Sequence, residues 1–362
     1  MTSLRQGRAQ KMRWFGLAMA IALVAGCARG VSNGGPSTPP TTPPPSPSAT
    51  LPCGMPVNLR VDQGGNREVL GHLTLPSGAT IDDPTDSIVK VADFPVGGGG
   101  TLPIWSTVTS PQLFGVGLGT FSPVAGKWLP APPALVSPDL LHYAYLHPNG
   151  SLRLAAATGS EVPIANPINL TPLAYTSAGV VLVQNQPDSN GLWLLDATTH
   201  VITMVTPPTG TDDWREVATA PTTTTMSGGI FAYGVNSPGV LGAPQPTAVL
   251  IANLLGGGTK TAYTTTGGTT IALIAADRQG GLLLVLTGTL SGLVYLDPNA
   301  GPRTIPAPAG VVLATIGPRH HADAHGIWFI GRTGIFLFNA TSGLQKIAAG
   351  VATDIAPGGD CT

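Results

Sequence analysis

A pattern of short strands repeats along the chain at a nearly constant spacing. Most copies consist of a glycine, an apolar run, an Asp or Asn with a turn, and a second apolar pair. The copies occupy residues 150–164, 191–205, 247–263, 292–305 and 334–347. Their strand starts are 40, 57, 44 and 42 residues apart, and two further strand-like runs precede each copy. A period near 42 residues without helices predicts a repeated four-stranded unit.

Four-stranded units at this period are typical of the blades of a β-propeller. We therefore predict an all-β fold, and no stretch of about 12 residues has the 3.6-residue periodicity of a helix. Two less regular units, at residues 57–93 and 103–129, precede the five clear copies and bring the expected number of blades to seven. Because the unit at 57–93 is weakly patterned, a six-bladed ring is the alternative.

The two ends of the repeat region indicate a closed ring. Residues 350–359 look like a first strand and its turn, yet no blade follows them. We expect this strand to become the inner strand of the blade that begins at Val57, since closure removes exposed strand edges that invite aggregation. Cys53 and Cys361 flank the region, and a disulfide between them would hold the closing strand in place. On chain entropy alone, such a bond stabilises a fold by roughly 5 kcal/mol.

The N-terminal segment, residues 1–26, has the order of an export signal. Four basic residues come first, and an apolar run at 14–25 follows them. Residues 23–27, Leu-Val-Ala-Gly-Cys, resemble the lipobox of bacterial lipoproteins. The resemblance implies that residues 1–26 are removed and that Cys27 carries a diacylglycerol that anchors the chain in a membrane.

A tether is expected between this anchor and the domain. Residues 28–49 are dominated by Gly, Ser, Thr and Pro and have almost nothing to bury. Proline-rich segments extend by about 3.1 Å per residue, so segment 27–50 would hold the propeller domain, residues 51–362, up to roughly 60 Å from the membrane. We expect the domain on the extracytoplasmic face of the cell membrane, or at the outer membrane if the organism is Gram-negative. That setting is oxidising and favours the Cys53–Cys361 disulfide.

Two single blades resemble known propeller families. The first combines Val-Ser-Pro-Asp at 136–139, Tyr-Ala-Tyr at 143–145 and Asn-Gly-Ser-Leu-Arg-Leu at 149–154, and it resembles the repeat of TolB-like propellers. The second combines residues 316–318, 326–329 and 334–336, and it resembles a repeat of the streptogramin lyase type of seven-bladed propeller. Both resemblances imply a propeller. Neither implies one function, because propellers host binding, hydrolysis and lyase chemistry alike.

The most polar cluster, residues 319–325, holds three of the seven histidines. If the segment is extended, His321, Asp323 and His325 lie on one side of it, and imidazoles with a carboxylate suit zinc or another divalent metal ion. Such a metal would polarise a carbonyl or activate water. Streptogramin-type chemistry would also need a histidine and an acid from neighbouring blades, and no matched set is evident in the sequence. The alternative is a solvated rim turn with no cofactor.

A second candidate site lies at residues 212–216, Asp-Asp-Trp-Arg-Glu, where a connection between blades is expected to enter the ring. An aromatic side chain beside charges makes Asp213, Trp214 and Arg215 candidates for the mouth of a ligand site. The alternative is a rim turn whose tryptophan packs on the next blade. Trp128, Trp193 and Trp328 fall inside strand patterns and are expected in the core.

Composition and missing motifs exclude several functional classes. Charged residues make up 10% of the chain and the net charge is −1, which argues against a nucleic-acid surface. A serine-hydrolase elbow, a Walker loop and a Cys-x-x-Cys pair are all absent from the sequence. No residue is assigned a catalytic role from the sequence.

Three functional hypotheses follow. The leading one is a lipid-anchored extracytoplasmic propeller that binds a protein, peptide or glycan at the cell envelope and acts as a non-catalytic module. The second is a metal-assisted lyase or lactonase of the streptogramin-lyase type that uses the 320–325 cluster. The third is a structural part of a larger envelope assembly.

Overall fold

The computed structural model describes residues 51–60, 67–96, 100–107, 113–114, 119–147, 150–166, 168–184, 191–208, 212–220, 228–236, 246–256, 258–308, 320–331, 333–350 and 355–362. The expected signal segment, Cys27 and the tether lie outside these residues. Within the described ranges the fold is all-β, and the helical content is one 3-10 turn at Pro133–Leu135. In this part of the chain no helix is both long and apolar enough to cross a membrane.

Six sheets and one separate hairpin contain the strands, which are numbered in chain order. Blade 1 contains β1 (Cys53–Arg60), β2 (Arg67–Leu75), β3 (Ala79–Val96), β4 (Gly100–Thr107), β5 (Leu113–Phe114) and β27 (Ile355–Pro357). The hairpin consists of β6 (Thr120–Ser122) and β7 (Lys127–Leu129). Blade 2 contains β8 (His142–Leu146), β9 (Leu152–Ala156) and β10 (Glu161–Ile164).

The other four blades each have four antiparallel strands in sequential order. Blade 3 contains β11 (Leu170–Thr176), β12 (Gly179–Gln184), β13 (Leu192–Leu195) and β14 (Ile202–Thr206). Blade 4 contains β15 (Asp212–Ala220), β16 (Gly229–Asn236), β17 (Ala248–Asn253) and β18 (Thr259–Thr264). Blade 5 contains β19 (Thr270–Ala276), β20 (Leu282–Thr287), β21 (Gly292–Asp297) and β22 (Gly301–Ile305). Blade 6 contains β23 (His320–Asp323), β24 (Gly326–Gly331), β25 (Gly334–Asn339) and β26 (Gly343–Ala349).

The ring closes as the sequence predicts. Strand β27 pairs antiparallel with β1, with Val57 opposite Pro357 and Leu59 opposite Ile355. The C-terminal strand is therefore the inner strand of blade 1. Cys53 and Cys361 form a disulfide with their Cα atoms 5.6 Å apart. Closure also buries apolar side chains of β1 and β2 against β24 and β25, in a cluster that includes Met55 and Trp328.

The fold has six blades, which is the alternative count and not the expected seven. Residues 103–129 do not form a blade of their own among the described residues. The reason is β3, an 18-residue strand whose first part pairs with β2 and whose last part pairs with β4. One strand thereby joins the two weakly patterned units into one sheet, and only the short β6–β7 hairpin stays separate.

Neighbouring blades share apolar cores. Buried clusters join blade 2 to blade 3, blade 3 to blade 4, blade 4 to blade 5 and blade 5 to blade 6. Trp128, Trp193 and Trp328 are 1%, 6% and 0% exposed, which confirms that they lie in the core. Burial of one large apolar side chain stabilises a fold by about 1.5–3 kcal/mol, so these shared faces hold the ring together.

The β6–β7 hairpin joins blades 1 and 2. Trp128 packs against Leu70 of blade 1, and Leu129 clusters with Val136 and Tyr143 on the blade 2 side. Buried Asn58 in β1 exchanges two hydrogen bonds with the backbone of residue 119, at 2.8 and 2.9 Å. The hairpin therefore fills the remaining gap in the circle.

Candidate functional site

One cavity of about 800 Å³ receives side chains from all six blades. Its lining includes Pro357 from blade 1, Ser137 and its neighbours from blade 2, Tyr175 from blade 3, Val217 from blade 4, Arg278 from blade 5 and His321 from blade 6. The innermost strand of each four-stranded blade contributes, which is why the cavity lies at the centre of the ring. A volume of this order suits a small molecule or the end of a peptide.

A three-residue cluster forms part of the cavity wall. The Nε2 atom of His321 lies 2.7 Å from Oδ1 of Asp360. Arg278 donates from Nη2 to both oxygens of the same carboxylate, at 2.7 and 2.9 Å, and from Nε to the carbonyl of Ala322 at 3.0 Å. The cluster thus connects blade 5, blade 6 and the C-terminal segment that follows β27.

The environment of Asp360 stabilises its charged form. Burial on its own raises the pKa of this carboxyl, but the hydrogen bond and charge of His321 and the guanidinium of Arg278 outweigh it, so the pKa of Asp360 lies below its ordinary value. Asp360 is therefore a carboxylate at neutral pH. A histidine beside a carboxylate is an arrangement that can accept and return a proton.

A second histidine–carboxylate pair crosses the ring. Nε2 of His320, at the start of β23 in blade 6, lies 3.3 Å from Oε2 of Glu216 in β15 of blade 4. Both side chains are mostly buried, at 17% and 20% exposure. The pair joins two blades that are not neighbours in the ring, so it fixes inner strands on different sides of the cavity.

The three residues predicted as metal ligands have different surroundings. His321 lines the cavity. Asp323 is 4% exposed, and its oxygens accept the backbone N–H groups of His325 and Cys361, at 2.8 and 3.0 Å. Nδ1 of His325 lies 3.3 Å from the same carboxylate. Within the described ranges no group of three or more His, Cys, Asp or Glu side chains is placed to hold a metal ion. The divalent metal stays a prediction.

The 212–216 stretch lies in β15, the inner strand of blade 4, and not in a connection between blades. Arg215 lines the cavity and donates from Nε to Oδ2 of Asp213 at 2.9 Å. Trp214 is 5% exposed and packs in the core between blades 3 and 4. The structure therefore brings Arg215 to the cavity, with Asp213 as its ion-pair partner, while Trp214 is a core residue.

The cavity wall has two chemically different parts. One part is apolar and comes from the hairpin and from the segment between the hairpin and β8; it consists of Phe121, Pro123, Pro132, Pro133, Pro138 and Leu140. The other part carries the charges and comes from blades 4, 5 and 6 and the C-terminal segment. A ligand that occupies the cavity meets both surfaces.

Sequence reasoning missed Asp360 and Arg278, and it missed the role of Glu216. One signal points to Asp360: it precedes Cys361, which the predicted disulfide brings to the ring. Arg278 lies in the turn after an inner strand, a position that faces the centre of a propeller, but the sequence alone does not show which blade faces His321. Pairing across 104 residues, as between His320 and Glu216, is set by the closed ring and leaves no local pattern.

Comparison with protein-family models and with curated proteins finds no match. Several solved structures are similar. An oligogalacturonate lyase in complex with manganese shares 12% identity over 83% of this chain and 86% of its own, with a TM-score of 0.44. Virginiamycin B lyase from Staphylococcus aureus shares 14% identity over 59% and 86%, with a TM-score of 0.30. An auxiliary nutrient binding protein from Bacteroides thetaiotaomicron shares 13% identity over 80% and 78%, with a TM-score of 0.37. At these values the similarities carry no functional argument, and the propeller assignment rests on the sheet topology.

Proposed function

We propose that this protein is a lipid-anchored, extracytoplasmic β-propeller that binds a ligand in its central cavity and performs no chemistry of its own. The anchor and the location come from the sequence of residues 1–50. The ligand in this role is a molecule of the cell envelope, such as a peptide, a glycan or an exposed segment of a protein.

The observation that carries the proposal is the construction of the cavity. All six blades contribute to one concave site of about 800 Å³. Hydrogen bonds between different parts of the ring hold the polar side chains of its wall in place, at 2.7 Å for His321 with Asp360 and 3.3 Å for His320 with Glu216. A wall that is already ordered loses little conformational freedom when a ligand binds, which favours affinity.

Filling the cavity tests the proposal. Ala134 and Thr219 line the cavity and are exposed, so tryptophan at both positions would occupy it without entering the core. The full chain is incubated with envelope extract, washed, and analysed for bound molecules by mass spectrometry. We expect material bound to the wild type to be lost from the Ala134→Trp/Thr219→Trp variant.

The matched control is Leu290→Trp, because Leu290 is 54% exposed and lies outside the cavity lining. This variant should retain the bound material. Equal binding by the wild type and the filled variant would mean that the cavity is not the binding site, and the proposal would fail.

A second candidate function is a lyase or lactonase assisted by a divalent metal. One observation favours it: two histidine–carboxylate pairs that join different parts of the ring lie in the same cavity. In that reaction the Asp360 carboxylate would hold Nε2 of His321, and His321 would move a proton at its other ring nitrogen, Nδ1. Elemental analysis of chelator-free full chain, together with turnover of cyclic esters by wild type and His321→Gln, decides between the functions. A metal-free protein without turnover would exclude the enzyme.

A further inference from the structure

We infer that the ligand of the central cavity is amphipathic. Its head group would be an oxyanion, either a carboxylate or a phosphate, and Arg215 and Arg278 would bind this head group. Its apolar body would lie on the proline-rich part of the wall. The inference rests on the proposed function, because it identifies the chemical class of the ligand for the same cavity.

The carboxylates of the wall are largely occupied by protein donors. Asp360 has both oxygens engaged, by His321 and by Arg278. Asp277 is 8% exposed; Oδ1 accepts the backbone N–H groups of residues 279 and 281, and Oδ2 accepts the hydroxyl of Tyr295 at 2.7 Å. Glu216 is held by His320 through one oxygen. A cationic head group would therefore find few acceptor atoms that are not already used.

The two arginines of the wall, in contrast, keep hydrogen-bond donors that no group in the described part of the protein uses. Arg278 uses Nε and Nη2 for Ala322 and Asp360, and Arg215 uses Nε and Nη2 for Asp213. Within the part of the chain that the structure describes, the Nη1 group of each arginine has no hydrogen-bond partner, and each Nη1 carries two N–H donors. Both side chains are about half exposed, at 45% and 51%. A guanidinium oriented by a carboxylate and retaining free donors is suited to bind an oxyanion.

The carboxylates of the wall already have partners in the protein. The lining carries three of them, Glu216, Asp277 and Asp360, beside the two guanidinium groups. The imidazoles of His320 and His321 hydrogen-bond to Glu216 and Asp360. Every carboxylate then has a partner in the protein, whereas the arginine donors remain for the ligand.

The apolar part of the wall selects the rest of the ligand. Its six side chains contain no charged atoms, and all are half-buried or exposed, so they present apolar surface to the cavity. Apolar surface removed from water contributes about 25 cal/mol per Å². A purely polar head group would leave this wall in water, whereas an amphipathic ligand covers it and reaches the arginines together.

A matched set of probes tests the inference on the full chain. The probes are 2-naphthoate, 2-naphthyl phosphate, neutral 2-naphthamide and cationic 2-naphthylmethylammonium, with acetate as a head group without an apolar body. Ligand-observed NMR measures each affinity. We expect the two anions to bind at least about tenfold more tightly than the amide, the cation and acetate, as charge-assisted hydrogen bonds predict. The stronger of the two anions identifies the head group.

Two substitutions connect the affinity to the arginines. Arg278→Gln and Arg215→Gln should each weaken binding of the anions about tenfold and leave binding of 2-naphthamide unchanged. Both hydrogen bonds of the Arg215 side chain go to Asp213 in its own strand, so this variant removes no hydrogen bond between blades and is expected to stay folded if Arg278→Gln does not. Arg153→Gln is the control, because Arg153 pairs with Glu161 at 2.8 Å outside the cavity lining.

The outcomes separate this inference from the proposed function. Equal binding of 2-naphthamide and 2-naphthoate, or anion binding that Arg215→Gln does not change, would overturn the inference and leave the cavity as a binding site. Failure of all probes would also overturn it, while the experiment with the filled cavity decides the proposed function on its own.

Discussion

Asp360 is the residue on which the charged part of the cavity depends. It accepts hydrogen bonds from Arg278 of blade 5 and pairs with His321 of blade 6, and it stands next to Cys361. Removing its charge would leave a guanidinium and an imidazole without their shared partner. Because the cluster is partly open to solvent, the effect on stability is modest, whereas the effect on the geometry of the cavity wall is direct.

The lowered pKa of Asp360 predicts how the stability of the fold changes with pH. A carboxyl whose pKa is lower in the folded state stabilises the fold above its ordinary pKa of 3.8, and this contribution is lost as the pH falls through the lowered value. We expect Asp360→Asn to lower the unfolding free energy by about 1 kcal/mol or less at pH 7 and to have a smaller effect below about pH 4. Urea unfolding at both pH values measures it.

Asp82→Asn is the control for this prediction, because Asp82 is exposed in β3 and lies outside the cavity lining. Its effect should be small at both pH values. An Asp360→Asn effect that is the same at pH 7 and at acidic pH would show that the charge of Asp360 is not what matters.

At the scale of single residues, the sequence predicts which segments are polar but not their partners. The sequence pattern singles out the histidine cluster as polar, and His321 lines the cavity in the structure. Its partner Asp360 is 39 residues away, and the partner of His320 is 104 residues away. Such pairs exist only because inner strands of different blades meet, which composition and spacing do not encode.

The hairpin of β6 and β7 is the element with the most unusual role. It belongs to no blade, yet it packs against blade 1 through Trp128 and against blade 2 through Leu129. It also carries Phe121 into the apolar part of the cavity wall. Its stability therefore affects both the ring and the cavity.

Trp128→Ala tests the role of the hairpin. The indole is 1% exposed and donates to Asp83 at 3.1 Å, so its loss removes buried apolar surface and a hydrogen bond. We expect the unfolding free energy to fall by about 3–5 kcal/mol. Val124→Ala, at a position that is 64% exposed in the turn of the same hairpin, should change it by less than about 0.5 kcal/mol. Equal effects of the two substitutions in denaturant unfolding would contradict the role of the hairpin as a joint.

At the scale of elements, prediction succeeded where the repeat is regular. Each of the five clear copies lies in a sheet of its own, in blades 2 to 6. The expected count of seven blades is wrong in the N-terminal part of the domain. There β3 is long enough to pair with both β2 and β4 along its length. The boundary between the two expected units, 57–93 and 103–129, falls near the turn between β3 and β4, yet these two strands pair with each other in one sheet, so the seventh blade does not form.

For the whole molecule, the closing strand and the cavity are connected. The segment 355–362 pairs with β1 and places Asp360 in the cavity wall. The backbone N–H of Cys361 in this segment also donates a hydrogen bond to buried Asp323. The sequence predicted the closure and the disulfide correctly. It did not predict that the same segment forms part of the cavity wall. Closure of the ring therefore builds the cavity.

Hydrogen–deuterium exchange of the oxidised full chain and of Cys361→Ser tests this claim most directly. If closure builds the cavity, loss of the disulfide raises the exchange rates of residues 355–362 and of β23, whose His321 and Asp323 contact that segment. The strands of blade 3, whose buried faces pack against blades 2 and 4, should keep their rates. Unchanged rates at 355–362 and β23, or an equal rise in every blade, would contradict the claim.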